Sequence, residues 1–147
     1  KEIFEISKNQ LCEITYPDDV LVGKSTDGSA QTKDLRDITD DDLILDLGPK
    51  TLKKIKNIIE NSKTVLWNGP AGYFENPNFA KGSFEIAKTI IKKNKDNSIY
   101  SVVGGGDTVA VVNQLNVIKD FNFVSTAGGA FLEYLEGKEL PGIKALN

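Results

Sequence analysis

The sequence predicts an α/β fold three layers deep, with helices on both faces of a mainly parallel sheet. Two observations carry that prediction. Strand-like apolar runs alternate with segments of helical periodicity four times along 147 residues, and a helix-length connection between strands implies parallel neighbours. Each glycine cluster, "NGPAG" at 68–72, "GGGDT" at 104–108 and "STAGG" at 125–129, falls between the end of such a run and the start of a helix. That is the rim at which open α/β sheets bind ligands. A chain of this length is most simply one domain, residues 1–147, large enough to bury about 70% of its unfolded surface.

Taken in order, "EITYPDDVLVG" (13–23) reads as a short strand, in which Pro17 weighs against an uninterrupted central position. Residues 23–42 are polar and acid-rich and read as a solvated loop. "LILDLG" (43–48) is a strand. Over 49–63, Pro49 suits a first helical turn, and Leu52, Ile55, Ile58 and Ile59 share one helical face. "TVLW" (64–67) is a strand running into the first glycine cluster. The next helix spans 76–93, with Asn76 as N-cap, Pro77 as first residue, and Phe84, Ala87, Ile90 and Ile91 turned inward. "SIYSVV" (98–103) is a strand. "DTVAVVNQL" (107–115) reads as a helix, with strand as the alternative because its valines are β-branched. "FNFVST" (121–126) is a strand, "AFLEYLE" (130–136) a helix closed by Gly137, and "LPGIKAL" (140–146) a docked tail. There is no internal repeat.

Composition removes several function classes. A net charge of −3, with no basic cluster beyond "IIKKNKD", argues against a nucleic-acid partner. No apolar run is long enough to span a membrane, and "KEIFEISKNQ" carries charges inside its apolar pattern, unlike a secretory signal. Cys12 is the single cysteine, which excludes an internal disulfide and fits a reducing compartment. With no histidine, catalytic triads and histidine-ligated metals are excluded; Arg36 is the single arginine.

Three glycine clusters on one rim point to anionic oxygens. Bare main-chain N–H groups approach a ligand closely, and each helix start adds its positive end, about 0.3–1 kcal/mol per terminus. Convergence of termini therefore matters more than any one of them. Asp107, in the first turn of a helix, is either its N-cap or a Mg²⁺ ligand facing bound phosphates, and the two can coexist. Two other motifs fail. "GKST" at 23–26 lacks the glycine a P-loop needs, since Asp18 stands there, and "GGGDTV" has Val109 where the dinucleotide fingerprint places its third glycine.

"LDLGPKT" (45–51), "VLWNGPAGYFENPNFAKG" (65–82), "VVGGGDTVAVV" (102–112) and "VSTAGGAFLEYLEGKELPGIKAL" (124–146) together resemble the C-terminal part of the phosphoglycerate kinase family. The resemblance implies the later part of a Rossmann-like nucleotide-binding lobe and a cytoplasmic glycolytic enzyme. Its reaction passes a phosphoryl group between the acyl phosphate of 1,3-bisphosphoglycerate and Mg-ADP, giving 3-phosphoglycerate and Mg-ATP. It further implies that Asn68 contacts nucleotide phosphates, while Gly69 and Pro70 help form the adenine and ribose pocket, with Leu45 and Tyr73 also at the nucleotide. Glu75, otherwise a solvated loop acid, is implied to bind the ribose hydroxyls. Gly104, Gly105, Gly106, Asp107 and Thr108 are implied to cradle the phosphates, with Asp107 on the magnesium. Gly128 and Gly129 are implied to offer N–H groups to the transferring phosphoryl. Trp67 is either a stacking platform for adenine or a core residue, and the core reading is preferred.

The chain departs from the family pattern at Ala127, where a glycine is usual, and at Phe123 and Ile44. Whether Ala127 is strained depends on whether its backbone needs positive φ. No segment matches the family's N-terminal lobe, which holds the phosphoglycerate and the arginines that neutralise the transferring group. Loss of one such arginine costs on the order of 10³–10⁵ in rate in comparable enzymes. The isolated chain is therefore expected to be catalytically silent, and to meet 3-phosphoglycerate or 1,3-bisphosphoglycerate only with that lobe. The alternatives are a non-catalytic module binding a nucleotide or a protein through the same loops, and a generic dinucleotide-binding half.

Overall fold

The computed structural model describes residues 2–10 and 12–146. Its helices are α1 (Glu2–Asn9), α2 (Pro49–Asn61), α3 (Lys81–Lys95), α4 (Gly106–Gln114), α5 (Gly128–Leu135) and α6 (Pro141–Lys144). Its strands are β1 (Asp19–Gly23), β2 (Gln31–Asp34), β3 (Leu43–Leu47), β4 (Thr64–Asn68), β5 (Tyr100–Gly104) and β6 (Phe123–Ser125).

The strands form two sheets. In the second, β4, β5 and β6 are parallel in that order, with α3 and α4 as the crossovers, as the alternation of elements implies. The first sheet has the order β2-β1-β3, and β1 is antiparallel to both neighbours. Here the parallel expectation does not extend, for a local reason. No helix long enough for a crossover separates β1, β2 and β3, so the chain reverses and pairs antiparallel.

β2 lies inside the stretch expected to be solvated loop. Its side chains, Gln31, Thr32, Lys33 and Asp34, carry no apolar alternation, and main-chain pairing to β1 alone makes it a strand. The following turn is organised around Asp42, whose side chain is 1% exposed. Its carboxylate accepts from Lys33 at 2.6 Å, from the Thr39 N–H and hydroxyl at 2.8 and 2.9 Å, and from Lys24 at 3.0 Å. Those donors, Lys33 first, hold its carboxyl well below the usual range.

The core gathers Ile86, Ala87, Ile90 and Ile91 of α3, Val109, Val111 and Val112 of α4, and Trp67, Val103, Ile59 and Phe121. Each such aliphatic side chain contributes on the order of 1.5–3 kcal/mol by burial, which outweighs the weak helix propensity of the α4 valines. In α2, Leu52 and Ile59 are buried and Ile55 half-buried, but Ile58 is 43% exposed. At 3.6 residues per turn it lies about 120° around the helix from Leu52, at the edge of the stripe. α3 begins at Lys81; Asn76 instead accepts the Asn78 N–H at 2.9 Å and caps a separate 3₁₀ turn, Pro77–Phe79. α1, where no helix was expected, buries nothing; its acids Glu2 and Glu5 near the start and Lys8 near the end suit the helix dipole.

Helices α3, α4 and α5 end alike. Asn97, Asn116 and Gly137 take positive φ just past each helix, and the next residue's N–H reaches back to an orphan carbonyl, as Lys138 does to Glu133 at 3.0 Å.

Candidate functional site

The parallel register aligns the three glycine clusters. Asn68 stands opposite Gly104, and Gly104 opposite Ser125, at the carboxyl ends of adjacent strands. Cross-links then tie the loops together. The Gly69 N–H donates to the Thr108 hydroxyl at 2.7 Å, the Gly105 N–H donates to the Ser125 carbonyl at 3.2 Å, and the Trp67 indole N–H donates to the Gly69 carbonyl at 2.8 Å. Trp67 is a buried member of the core, so the stacking alternative fails. The starts of α4 and α5 meet so closely that a Cβ added at Gly128 would sit 2.9 Å from the Gly105 Cα.

Gly105 has φ +90 and is the N-cap of α4, a backbone conformation that a side chain opposes. Asp107 is therefore not the cap. It stands exposed in the first turn, without a hydrogen bond or ion pair among the described residues. Thr108 is 0% exposed; its hydroxyl accepts from Gly69, which places the residue inside the wall of the rim. Of the α5 glycines, Gly128 already donates to the Thr126 carbonyl at 3.1 Å, whereas Gly129 has no backbone acceptor among the described residues. Added Cβ atoms at Gly69, Gly106 and Gly129 would meet nothing within 4 Å, so the rim is open there. Ala127, the N-cap of α5, has φ −84; alanine is unstrained in that position.

Asn68 lies beneath this rim. A Cβ at Gly105 would sit 3.0 Å from its Oδ1, and its Nδ2 is buried with no hydrogen-bond partner. Such an orphan donor costs about 1–3 kcal/mol, an expense natural structures concentrate at functional positions.

The expected nucleoside side is built from the first sheet. The Tyr73 N–H donates to the Leu45 carbonyl at 2.7 Å, which brings those two residues together. Pro70 is half-buried, while Tyr73 and Glu75 are exposed. The same sheet carries two buried acids that sequence reading passed over, Asp19 on β1 and Asp46 on β3. Asp19 accepts the Lys50 and Thr51 N–H groups at 3.1 and 2.8 Å and the Thr51 hydroxyl at 2.9 Å, capping α2 from 31 and 32 residues away. Burial opposes its charge, yet the Thr51 and Lys50 donors outweigh it and lower its titration. Asp46, 2% exposed, accepts the Gly82 N–H at 2.8 Å at the start of α3. For Asp46 burial wins over the Gly82 and Leu47 N–H groups and pushes its carboxyl up. The signal available in the sequence was an acid inside the apolar run "LILDLG".

A groove of about 520 Å³ opens between α2 and α3, lined by Lys53, Lys56, Lys81, Glu60 and Glu85, and none of the expected site residues lines it. Among the described residues no three acidic or sulfur side chains converge on a metal position. The exposed Asp107 carboxylate is of the type magnesium uses, a single carboxylate completed by phosphates and water. No described helix is long and apolar enough to cross a membrane.

The family model for phosphoglycerate kinase matches residues 1–138. The chain is 47% identical over 148 residues to phosphoglycerate kinase of Zymomonas mobilis, covering 99% of this chain and 37% of that protein. It is 45% identical over 148 residues to the enzyme of Chelativorans, with the same coverage. The solved structure of phosphoglycerate kinase from Coxiella burnetii superposes with a TM-score of 0.88 at 37% identity, over 99% of this chain and 37% of that one. The structure from Pyrococcus horikoshii gives 0.78 at 32% identity, over 97% and 34%. The chain thus spans little more than a third of the length of these relatives.

Proposed function

The chain belongs to the phosphoglycerate kinase family, and from that membership and the geometry of the rim we propose that it is the nucleotide-binding part of such an enzyme. The observation that carries this reading is the alignment of Asn68, Gly104 and Ser125 at adjacent strand ends, with the starts of α4 and α5 in contact above them. In this reading the main-chain N–H groups of Gly106 and Asp107 bind phosphate oxygens, Thr108 supports them from behind, and the Gly129 N–H faces the transferring phosphoryl. Pro70, Tyr73 and Leu45 contact the base, and the Glu75 carboxylate accepts from the ribose hydroxyls. Magnesium, held by Asp107, supplies charge neutralisation to the polyphosphate. Phosphoryl transfer needs positioning and such neutralisation more than a covalent protein group, so the absence of histidine is no obstacle.

The reaction assigned is the family's: transfer between 1,3-bisphosphoglycerate and Mg-ADP. The single arginine, Arg36, sits in a 3₁₀ turn next to Asp34 at 3.8 Å, on the first sheet and not on the rim. We therefore assign binding to these 147 residues by themselves, and turnover to them only together with the remainder of the family's length.

Calorimetric titration tests this. Mg-ADP should bind, chelation of the metal should weaken binding, and Asp107→Asn should cost about tenfold in Mg-ADP affinity, equivalent to ~1.4 kcal/mol, without loss of fold. A folded chain indifferent to Mg-ADP would favour the protein-binding module; phosphotransfer by the isolated chain would defeat the division of labour.

A further inference from the structure

We infer that Asp46 and Ser83 are positioning residues that fix the nucleoside-contacting segment 71–80, independently of the loops assigned to phosphate; the inference rests on the nucleotide reading above. Asp46 is the buried penultimate residue of β3, and its Oδ2 accepts the Gly82 N–H at 2.8 Å while its Oδ1 accepts the Leu47 N–H at 2.8 Å. Glycines stand at both ends of the segment, and both press on this carboxylate. A Cβ added at Gly72 or at Gly82 would collide with Asp46, and one at Gly72 would also lie 2.6 Å from the Phe79 carbonyl. Ser83, fully buried, accepts the Ala71 N–H at 2.9 Å through its hydroxyl. The two ends of the excursion from Ala71 to Gly82 are thereby drawn to one buried carboxylate and one buried hydroxyl.

Between those ends Phe74 packs against the core and Phe79 and Ala80 are buried, while few polar contacts hold the exposed stretch at Tyr73 and Glu75. The Tyr73 N–H reaches the Leu45 carbonyl, one residue before Asp46. Asn76 donates to the Thr26 carbonyl at 2.6 Å, and Phe79 is fully buried. Tyr73 and Glu75, which carry the assigned nucleoside contacts, project from the middle of the excursion. Their placement depends on how its ends are held. The assigned phosphate contacts, by contrast, hang from β5, α4 and α5 through the Gly69–Thr108 bond, and none of them touches Asp46 in the hydrogen-bond pattern.

A chain that loses this clamp should therefore lose preference for a nucleoside while keeping affinity for bare polyphosphate. Mg-ADP and magnesium pyrophosphate are titrated against the wild-type chain, Asp46→Asn and Ser83→Ala, with amide hydrogen exchange followed over 71–80. The expected result is a fall of about tenfold or more in Mg-ADP affinity, since misplacement by an ångström carries penalties of that order. Pyrophosphate affinity should be unchanged, and exchange should quicken within 71–80 but not in β5 or α4. Equal weakening of both ligands, or faster exchange throughout, would make these residues merely structural and overturn the inference. If the variants alter neither preference nor exchange, it is overturned outright. A wild-type chain that binds neither probe would remove the nucleotide reading and the positioning role with it, while the exchange data would still decide the mechanical link between Asp46 and the segment.

Discussion

The Thr108 hydroxyl accepts the Gly69 N–H at 2.7 Å, joining the loop after β4 to the first turn of α4 across 39 residues of sequence. A threonine in a phosphate-binding motif invites the assumption that its hydroxyl faces the ligand. Here the side chain is fully buried, and the bond holds two loops of the rim at fixed separation.

Thr108→Val keeps the shape and removes the acceptor. The Gly69 N–H, at an exposed residue, then exchanges its partner for water, which costs about 0.5–1.5 kcal/mol. Urea unfolding followed by tryptophan fluorescence should show that loss, and Mg-ADP affinity should fall with it. Unchanged stability would mean that the bond is not maintained in solution.

Gly105 and Gly106 separate folding from binding. Alanine at 105 must adopt φ +90 with its Cβ 3.0 Å from Asn68 Oδ1, so Gly105→Ala should destabilise by about 1–3 kcal/mol. Gly106→Ala meets open space and should leave stability within about 0.5 kcal/mol. Because that space is assigned to phosphate, Gly106→Ala should nonetheless weaken Mg-ADP binding in the same titration.

Ala127→Gly restores the residue usual in the family. Since φ is −84 there, glycine relieves no strain and only enlarges the freedom of the unfolded chain, a cost of about 0.4–1 kcal/mol. A lower melting temperature without tighter ligand binding is expected; a gain in affinity would show that the bound state needs a conformation alanine resists.

Asp19 and Asp46 give opposite slopes to stability against pH. Asp19 titrates below its unfolded value of 3.8 in the folded chain, so the unfolded state binds more protons and the Asp19 contribution is lost as pH falls below 3.8. Asp46 titrates above 3.8 when folded, so its protonated form is favoured by folding and stability declines as pH rises through the window just above 3.8. Denaturant midpoints measured across this range should flatten on the acid side for Asp19→Asn and on the higher side for Asp46→Asn. The same slope change in both variants would contradict the assignment.

The alternation of apolar runs and helical stripes was enough to set α2 to α5 and β3 to β6 in order, because a side chain's own face is reported by its spacing. The glycine clusters likewise announced the rim, since chain breaks between strand and helix need residues without side chains. Where no apolar period existed, as in Gln31–Asp34, pairing to β1 made a strand that local sequence could not announce.

What the sequence by itself determined was therefore the order of elements, the family, and the level at which the three loops emerge. Tertiary structure alone decided that β1 to β3 form a separate antiparallel sheet, that Thr108 faces inward, and that Asp19, Asp42 and Asp46 serve as buried anchors. The physical reason is the reach of the interactions. Periodicity is written within a few residues, whereas Asp19 reaches Lys50, Asp46 reaches Gly82 and Thr108 reaches Gly69, 31 to 39 residues away. The burial, charge and role of Asp19 and Asp46 depend on donors that their own neighbourhood in the chain does not supply by itself.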